Sequence, residues 1–548
     1  MTSGFTSKKR WVGVLSGSAV FAMVLAGCAA GGNTGNPGDS GAKDNPITVG
    51  TTDKVTSIDP AGSYDNGSFA IMNQVYPFVM NSPYGTADVE PDIAESAEFT
   101  TPTDYTVKLK PGLKFANGHD LTSSDVKFSF DRQLKIADVN GPSSLLSNLD
   151  SISTPDDTTV VFKLKSGNDQ VWPQILSSPA GPIVDEEVFS PDKVTPDADI
   201  VKGNAFAGQY VITNYDFNNL VSFKVNPDYK GVLPKAKTSV VHTKYYTDAS
   251  NLKLDVQEGN IDVAWRSLSP TDIASLREDK KVKVVDGPGG EIRYIVFNFD
   301  TMPYGAKTDQ ADPAKALAVR QAVADLVNRA DIAKQVYKDT YTPLFSYVPA
   351  GMTGATTVLK DLYGDGNGGP DVAKAKDVLA KAGVTTPVKL SLQYNGDHYG
   401  PSSGDEYAMV KDQLESSNLF TVDLKSTEWV QYSKDRSADV YPSYQLGWFP
   451  DYSDADNYLS PFFLKKNFLA NHYDNPTVND LILKQAVTTD PTERTKTIED
   501  IQAKVAADLS TVPLLQGSQI AITGTDISGT ADTLDAAFKF RYAALSKG

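Results

Sequence analysis

The chain reads as a mixed α/β protein of at least two lobes. Its 548 residues exceed what one hydrophobic core organises, which points to roughly three to four domains. Hydrophobic residues at 40% together with 41 glycines are an ordinary load for packed domains, so wholesale disorder is excluded. From Ile47 onward, short β-branched runs alternate with segments of helical period, the pattern of strands interleaved with helices.

The segment before Ile47 has a different character. Lys8, Lys9 and Arg10 form a positive start, and residues 11–27 form an apolar stretch too short and too rich in Gly and Ser to span a bilayer comfortably. It ends in Leu25-Ala26-Gly27-Cys28, which resembles a bacterial lipobox, where the thiol receives a diacylglycerol before cleavage. Residues 1–27 are therefore expected to be a lipoprotein signal peptide, Cys28 the lipidated residue and 28–46, small and polar, a flexible tether. Removing 1–27 takes away three basic and no acidic side chains, so the net charge falls from −17 to −20. No later segment approaches about 18 uninterrupted apolar residues.

The body opens with the strand ITVGTT at 47–52, and YTVKLK at 105–110 supplies another. Residues 123–134 place Val126, Phe130 and Leu134 at helical spacing. Strands are expected at 158–165, 220–226, 239–246 and 293–299. A long helix over 314–337 and a second over 371–382, stopped by Gly383, come next. A further α/β block runs from the strand at 388–395 through a helix at 405–415 to a strand at 421–426. No repeat of 20 to 50 residues is present.

Charge and cysteine content remove whole classes of function. With 51 basic against 68 acidic residues, most of the surface repels phosphate backbones, so nucleic acid is not a partner. A single cysteine excludes an intramolecular disulfide and any cysteine-cluster metal site.

Six blocks in one order resemble the peptide-binding proteins of bacterial ABC importers, the peptide/nickel family of extracellular solute-binding proteins. They are VTSIDPAGSYDN; VEPDIAESAEFTTPTDYTVKLKPGLKFANGHDLTSSDVKFSFDR; LDVQEGNIDVAW; IRYIVFNFD with VRQAVADLVNRADI; DVAKAKDVLAKAG; and EWVQYSKDR through GWFPDYSDADNYL. The resemblance implies a two-lobed flytrap of the periplasmic-binding-protein type, with three domains of which the first is discontinuous. Domain I would comprise 47–83, 206–305 and 512–548, domain II 84–205, and domain III 306–511, the ligand-cleft lobe. It also implies a monomer that takes a peptide without a cofactor or chemistry on the ligand and delivers it to a permease and its ATPase subunits, held at the membrane by the lipid anchor.

Residues 429–463 hold ten aromatics, far above the 10% of the whole chain, so either a core or a pocket is concentrated there. Trp429 and Trp448 fall on the family's cleft positions, while Phe462 and Phe463 read as core. Asp451, in GWFPD, matches the carboxylate that receives a ligand's ammonium group, a charge that needs a charged partner once buried. Asp454 and Asp456 read as capping acids. Arg436 matches an arginine near the peptide's C-terminal region, with a surface ion pair to Asp435 or Glu428 as the other reading. Gln445 stands where some relatives carry a basic residue for a short peptide's carboxylate, which leaves the preferred peptide length open. Tyr64, Asp65 and Asn66 fall where relatives present backbone to the ligand, in the manner of β-augmentation, or form a plain turn.

Other readings are weaker. Gly400 to Gly404 fits G-x-S-x-G, and Asp451 and His472 follow in the order of an α/β-hydrolase, but four residues intervene after the strand. Ser403 with Glu406 reads better as a capping box, so an exported hydrolase is disfavoured. The histidines His119, His242, His398 and His472 lack metal-ligand spacing, though a nickel or haem chelate, or an oligosaccharide, needs no contiguous motif. Residues 364–369 lack the acidic residue that would close an EF-hand and read as a loop.

Overall fold

The computed structural model describes residues 45–548 except positions 87, 267, 397, 401, 537 and 538. The expected signal peptide, Cys28 and most of the tether lie outside the described residues. Among those described, no helix is long and apolar enough to cross a membrane.

Eleven strands form one large sheet. Its order runs Phe420–Ser426, Val388–Tyr394, Ser443–Trp448, Val282–Phe297, Thr511–Gly524, Val263–Trp265, Ile47–Thr51, Val240–Tyr245, Leu220–Val225 and Tyr210–Asp216, with Tyr341–Pro343 pairing aside on Thr511–Gly524. Every strand expected from a β-branched run is present. Thr511–Gly524 is buried along nearly its whole length, as a strand covered on both faces must be.

The pair Val282–Phe297 and Thr511–Gly524 carries the sheet from one lobe to the other. Its antiparallel register holds from Val282↔Gly524 to Pro288↔Ser518, slips, and resumes at Ile292↔Gln516. Gly289 lies in the slip, and a Cβ there would stand 2.2 Å from the carbonyl oxygen of Gly517, so only glycine lets the two backbones approach. Before the slip, Val282 packs with Leu252, Ile520 and Ile522. After it, Ile292 to Phe297 enter the largest core, which reaches Leu515. A second core gathers Ile47, Phe78, Phe223, Val263 and Tyr542.

The third core lies under a separate four-stranded antiparallel sheet, ordered Ala94–Phe99, Asp104–Leu109, Thr159–Leu164 and Leu149–Asp156. Helix Ser123–Ile136 packs on this sheet, opened by a capping box between Thr122 and Asp125. Val126 and Phe130 are buried as expected, with Phe130 edge-on to Phe162 at 5.2 Å. Leu134 is instead 39% exposed. The buried stripe is 126, 129, 130 and 133, and its polar members donate to backbone carbonyls: the Ser129 hydroxyl to Asp125 O at 2.7 Å, and Gln133 Nε2 to Ala180 O at 2.8 Å.

The long helix expected over 314–337 is broken. It runs Pro313–Leu326, Val327 turns extended (φ −73°, ψ 119°), and a short turn Arg329–Asp331 restarts behind the Asn328 cap. The break is satisfied from the side: Gln413 accepts from Asn328 N (2.9 Å) and donates to Asn328 O (3.1 Å), taking the place of helical partners. Helix Val372–Lys381 ends before Gly383 at φ 68°, as its sequence requires.

The Ser403–Glu406 capping box does not form. The cap of helix Ser403–Ser416 is Ser402, whose side chain makes no capping bond. Glu406 is fully buried, paired with Arg293 at 2.9 Å and accepting from the Tyr337 hydroxyl at 2.8 Å.

Candidate functional site

The strand Ser443–Trp448 pairs with Val282–Phe297, setting Trp448 opposite Ile292 at the lobe edge of the slip. The chain then leaves the sheet as the loop Phe449–Ser453, and its shape is held by one side chain. Asn457, 1% exposed, accepts from Trp448 Nε1 at 2.7 Å and from Asp451 N at 3.0 Å through a single Oδ1. Its Nδ2 donates to Asp451 Oδ2 at 3.2 Å. Trp448 also meets Phe462 and Phe468 edge-on, at 5.0 and 5.4 Å. Phe462 and Phe463 are buried in the core.

The far end of the loop is fixed by charge. Asp454 caps the turn Ala455–Tyr458 through Asp456 N (2.8 Å) and makes two parallel bonds with Arg494, at 2.7 and 2.8 Å. Asp456 is not a capping acid. It is buried, accepts from Ser460 (2.5 Å), Tyr452 (3.2 Å) and Gln485, and is pushed up to about 6, mainly by burial.

The other wall comes from the N-terminal lobe. Asp65 caps helix Asn66–Val75 by accepting from Ser68 N at 2.8 Å, so its side chain serves the turn. Tyr64, just before the cap, donates its hydroxyl to Asp451 Oδ1, joining the two segments. Tyr64, Asp65 and Asn66 thus line, with Phe449 to Ser453, one cavity of about 360 Å³. Burial raises the Asp451 carboxyl above the ordinary range, against the opposing effect of its donors Tyr64 and Asn457. Both donors are neutral. A carboxylate in that setting is suited to a cation bringing several N–H donors, which an ammonium does.

The remaining candidates lie elsewhere. Trp429 opens helix Trp429–Ser437 and stacks on His398 at 3.7 Å and 7°, with Tyr399 edge-on at 5.6 Å. Tyr399 borders a second cavity of about 400 Å³, together with Tyr341, Glu291 and Arg293 beside the lobe-crossing strands. Arg436 is neither at the first cavity nor in a surface ion pair. It is 6% exposed, donates to Phe468 O (2.7 Å) and Leu469 O (3.0 Å), and lies 4.8 Å from the Phe468 ring, so it ties a loop to a helix. Asp435 instead accepts from Gln431 and Tyr441. Gln445 is buried in its strand and accepts from Asn395 N at 2.9 Å.

The hydrolase constellation is not assembled. The motif serine, Ser402, caps helix Ser403–Ser416 and borders the second cavity, Asp451 lines the first, and His472 pairs with Asp439 (2.6 Å) and Asp300 (3.5 Å). That His472 cluster, invisible to local spacing, brings together three possible metal ligands, but the Lys307 ammonium stands in it, 2.8 Å from Asp300. His119 pairs with Asp185, and His242 with Ser222. In the loop at 364–369, Asp365 accepts from Asn367 N and Gly369 N.

Four residues of the site escape sequence reading: Asn457, which holds its loop, and the buried Lys539, Ser82 and Ser177 that line the cavity. Asn457 follows Asp451 by six residues, a spacing that carries no periodic signal, and Lys539 meets its serines only through long-range folding.

Comparison with known proteins points one way. Residues 88–469 match the family model described as bacterial extracellular solute-binding proteins, family 5 Middle. A probable D,D-dipeptide-binding periplasmic protein of Escherichia coli K12 is 25% identical, covering 88% of this chain and 90% of its own length. Among solved structures, a periplasmic binding protein of Helicobacter pylori in complex with the peptide STSA has a TM-score of 0.69 at 19% identity, covering 92% of this chain and 98% of its own. A dipeptide-binding protein of Pseudoalteromonas sp. SM9913 in complex with Met-Leu has a TM-score of 0.67 at 19% identity, covering 92% and 100%.

Proposed function

Because the chain belongs to family 5 of the bacterial extracellular solute-binding proteins, we propose that it captures peptides in the cavity between Tyr64 and Asp451 and hands them to its permease. Members of this family are the extracytoplasmic binding components of ABC importers, working with a permease and ATPase subunits, and they are not enzymes. The observation that carries the peptide reading is Asp451, a largely desolvated carboxylate with two neutral donors at a cavity shared by both lobes. A peptide's amino terminus supplies the missing charge, and the Tyr64 hydroxyl is the partner it would displace or join. The relatives that bind a D,D-dipeptide, STSA and Met-Leu support this reading. Binding between the lobes, bending at the Gly289 slip and recognition of the closed form by the permease would complete the cycle.

Mass spectrometry of small molecules released from the purified, denatured protein tests the ligand class. Peptides in the eluate are expected; an oligosaccharide, or a nickel or haem chelate, would overturn the reading. The same proposal anchors the protein through Cys28. Cys28→Ser should abolish incorporation of a clickable fatty acid while leaving the folded body intact, and undiminished label would refute the anchor.

A further inference from the structure

The cavity beside Asp451 has a second buried charge. Lys539, 6% exposed, reaches it from the C-terminal segment, far in sequence from every other wall. Its Nζ donates to the Ser177 hydroxyl and, at 3.3 Å, to that of Ser82, and both serines are themselves buried and line the same cavity. The face of Phe78 lies 5.9 Å away. Packing alone does not account for a lysine here, since a buried ammonium is costly and a methionine would fill the space without that cost. Two neutral hydroxyls orient the ammonium without neutralising it. Burial and the neighbouring Arg541 push its proton affinity well below the usual lysine range, while Asp535 and Asp92 act the other way.

Resting on the peptide reading above, we infer that Lys539 selects peptides whose first residue is acidic. The amino terminus would pair with Asp451, and the carboxylate of the Asp or Glu side chain at that residue would pair with Lys539, steadied by Ser82 and Ser177. One small cavity then holds a carboxylate for the ligand's cation and an ammonium for its anion. At about 360 Å³ it lies near the small end of ligand pockets, room for one end of a peptide and not the whole of a long one. A glutamine of the same shape would lack the charge, so the site discriminates between them by charge pairing.

The test is retention from a mixed tripeptide library, with the first residue of the retained peptides read by mass spectrometry. The full-length wild-type protein is expected to enrich Asp- and Glu-initiated peptides at least tenfold over Asn- and Gln-initiated ones, with no such bias at the third residue. Lys539→Met should retain peptides yet lose the enrichment, and Lys539→Gln, which keeps hydrogen bonding to the serines, should lose it too. Peptides retained by the wild type without acidic enrichment would overturn the role of Lys539 and leave the peptide reading standing. This wild-type outcome decides the matter even if a variant fails to fold. Retention of no peptide at all would overturn both.

Discussion

Asp451 is ionised only against the cost of its burial, and that makes affinity sensitive to pH. Its carboxyl is raised by burial, and an ammonium bound as proposed would lower it, so the ligand would bind the ionised form. Affinity should be constant at neutral pH and weaken as pH falls through the raised value, beginning above the ordinary aspartate value of about 3.9. Titration calorimetry across pH 7 to 4 checks this, and Asp451→Asn should flatten the slope. A wild-type curve flat down to pH 4 would contradict it. Part of the proposed site was legible through the family resemblance, which set Asp451 of GWFPD where a ligand's cation would be received. What the sequence could not show is who satisfies whom. Arg436 was legible as a charge but not as a donor to two carbonyls more than thirty positions away. Asp456 looked like its neighbour Asp454, yet one is a buried acceptor and the other a cap.

At the scale of elements, the loop Phe449–Ser453 is held at both ends, by Asn457 and by the Asp454–Arg494 pair. Asn replaces Asp well at an N-cap, so Asp454→Asn removes the charge pair while leaving the turn capped. With the two side chains 11% and 16% exposed, the pair lies between surface and fully buried cases, and the loss of stability should be about 2 kcal/mol. Urea denaturation measures it, and a loss below about 0.5 kcal/mol would show that solvent already screens the pair. Strands and helices with a clean period were readable, including the stop at Gly383. The break at Val327 was not, because its cause is Gln413, a side chain from another helix replacing main-chain partners. Leu134 failed for a similar reason, since buried polar residues rather than apolar ones complete the inner face of its helix.

For the whole molecule, the lobes share the strand pair at the Gly289 slip and meet again where Tyr64 reaches Asp451. The two-lobed class was legible from length and alternation, and the flytrap from ordered blocks of resemblance. The slip was not, because a register shift depends on both strands at once. A peptide that bridges the lobes should reduce the radius of gyration in solution scattering and, at a hundredfold excess over Kd, stabilise the fold by about 2.7 kcal/mol. Unchanged scattering at saturation would indicate rigid binding without closure. The central claim, that Asp451 receives the ligand's amino terminus, is tested most directly by a double-mutant cycle in titration calorimetry. It combines wild type and Asp451→Asn with a free and an N-acetylated form of one bound peptide. Acetylation should weaken wild-type binding by about 3 kcal/mol, on the order of a hundredfold, and weaken the Asn variant far less. Equal losses in both proteins would contradict the claim and leave Asp451 a structural acid.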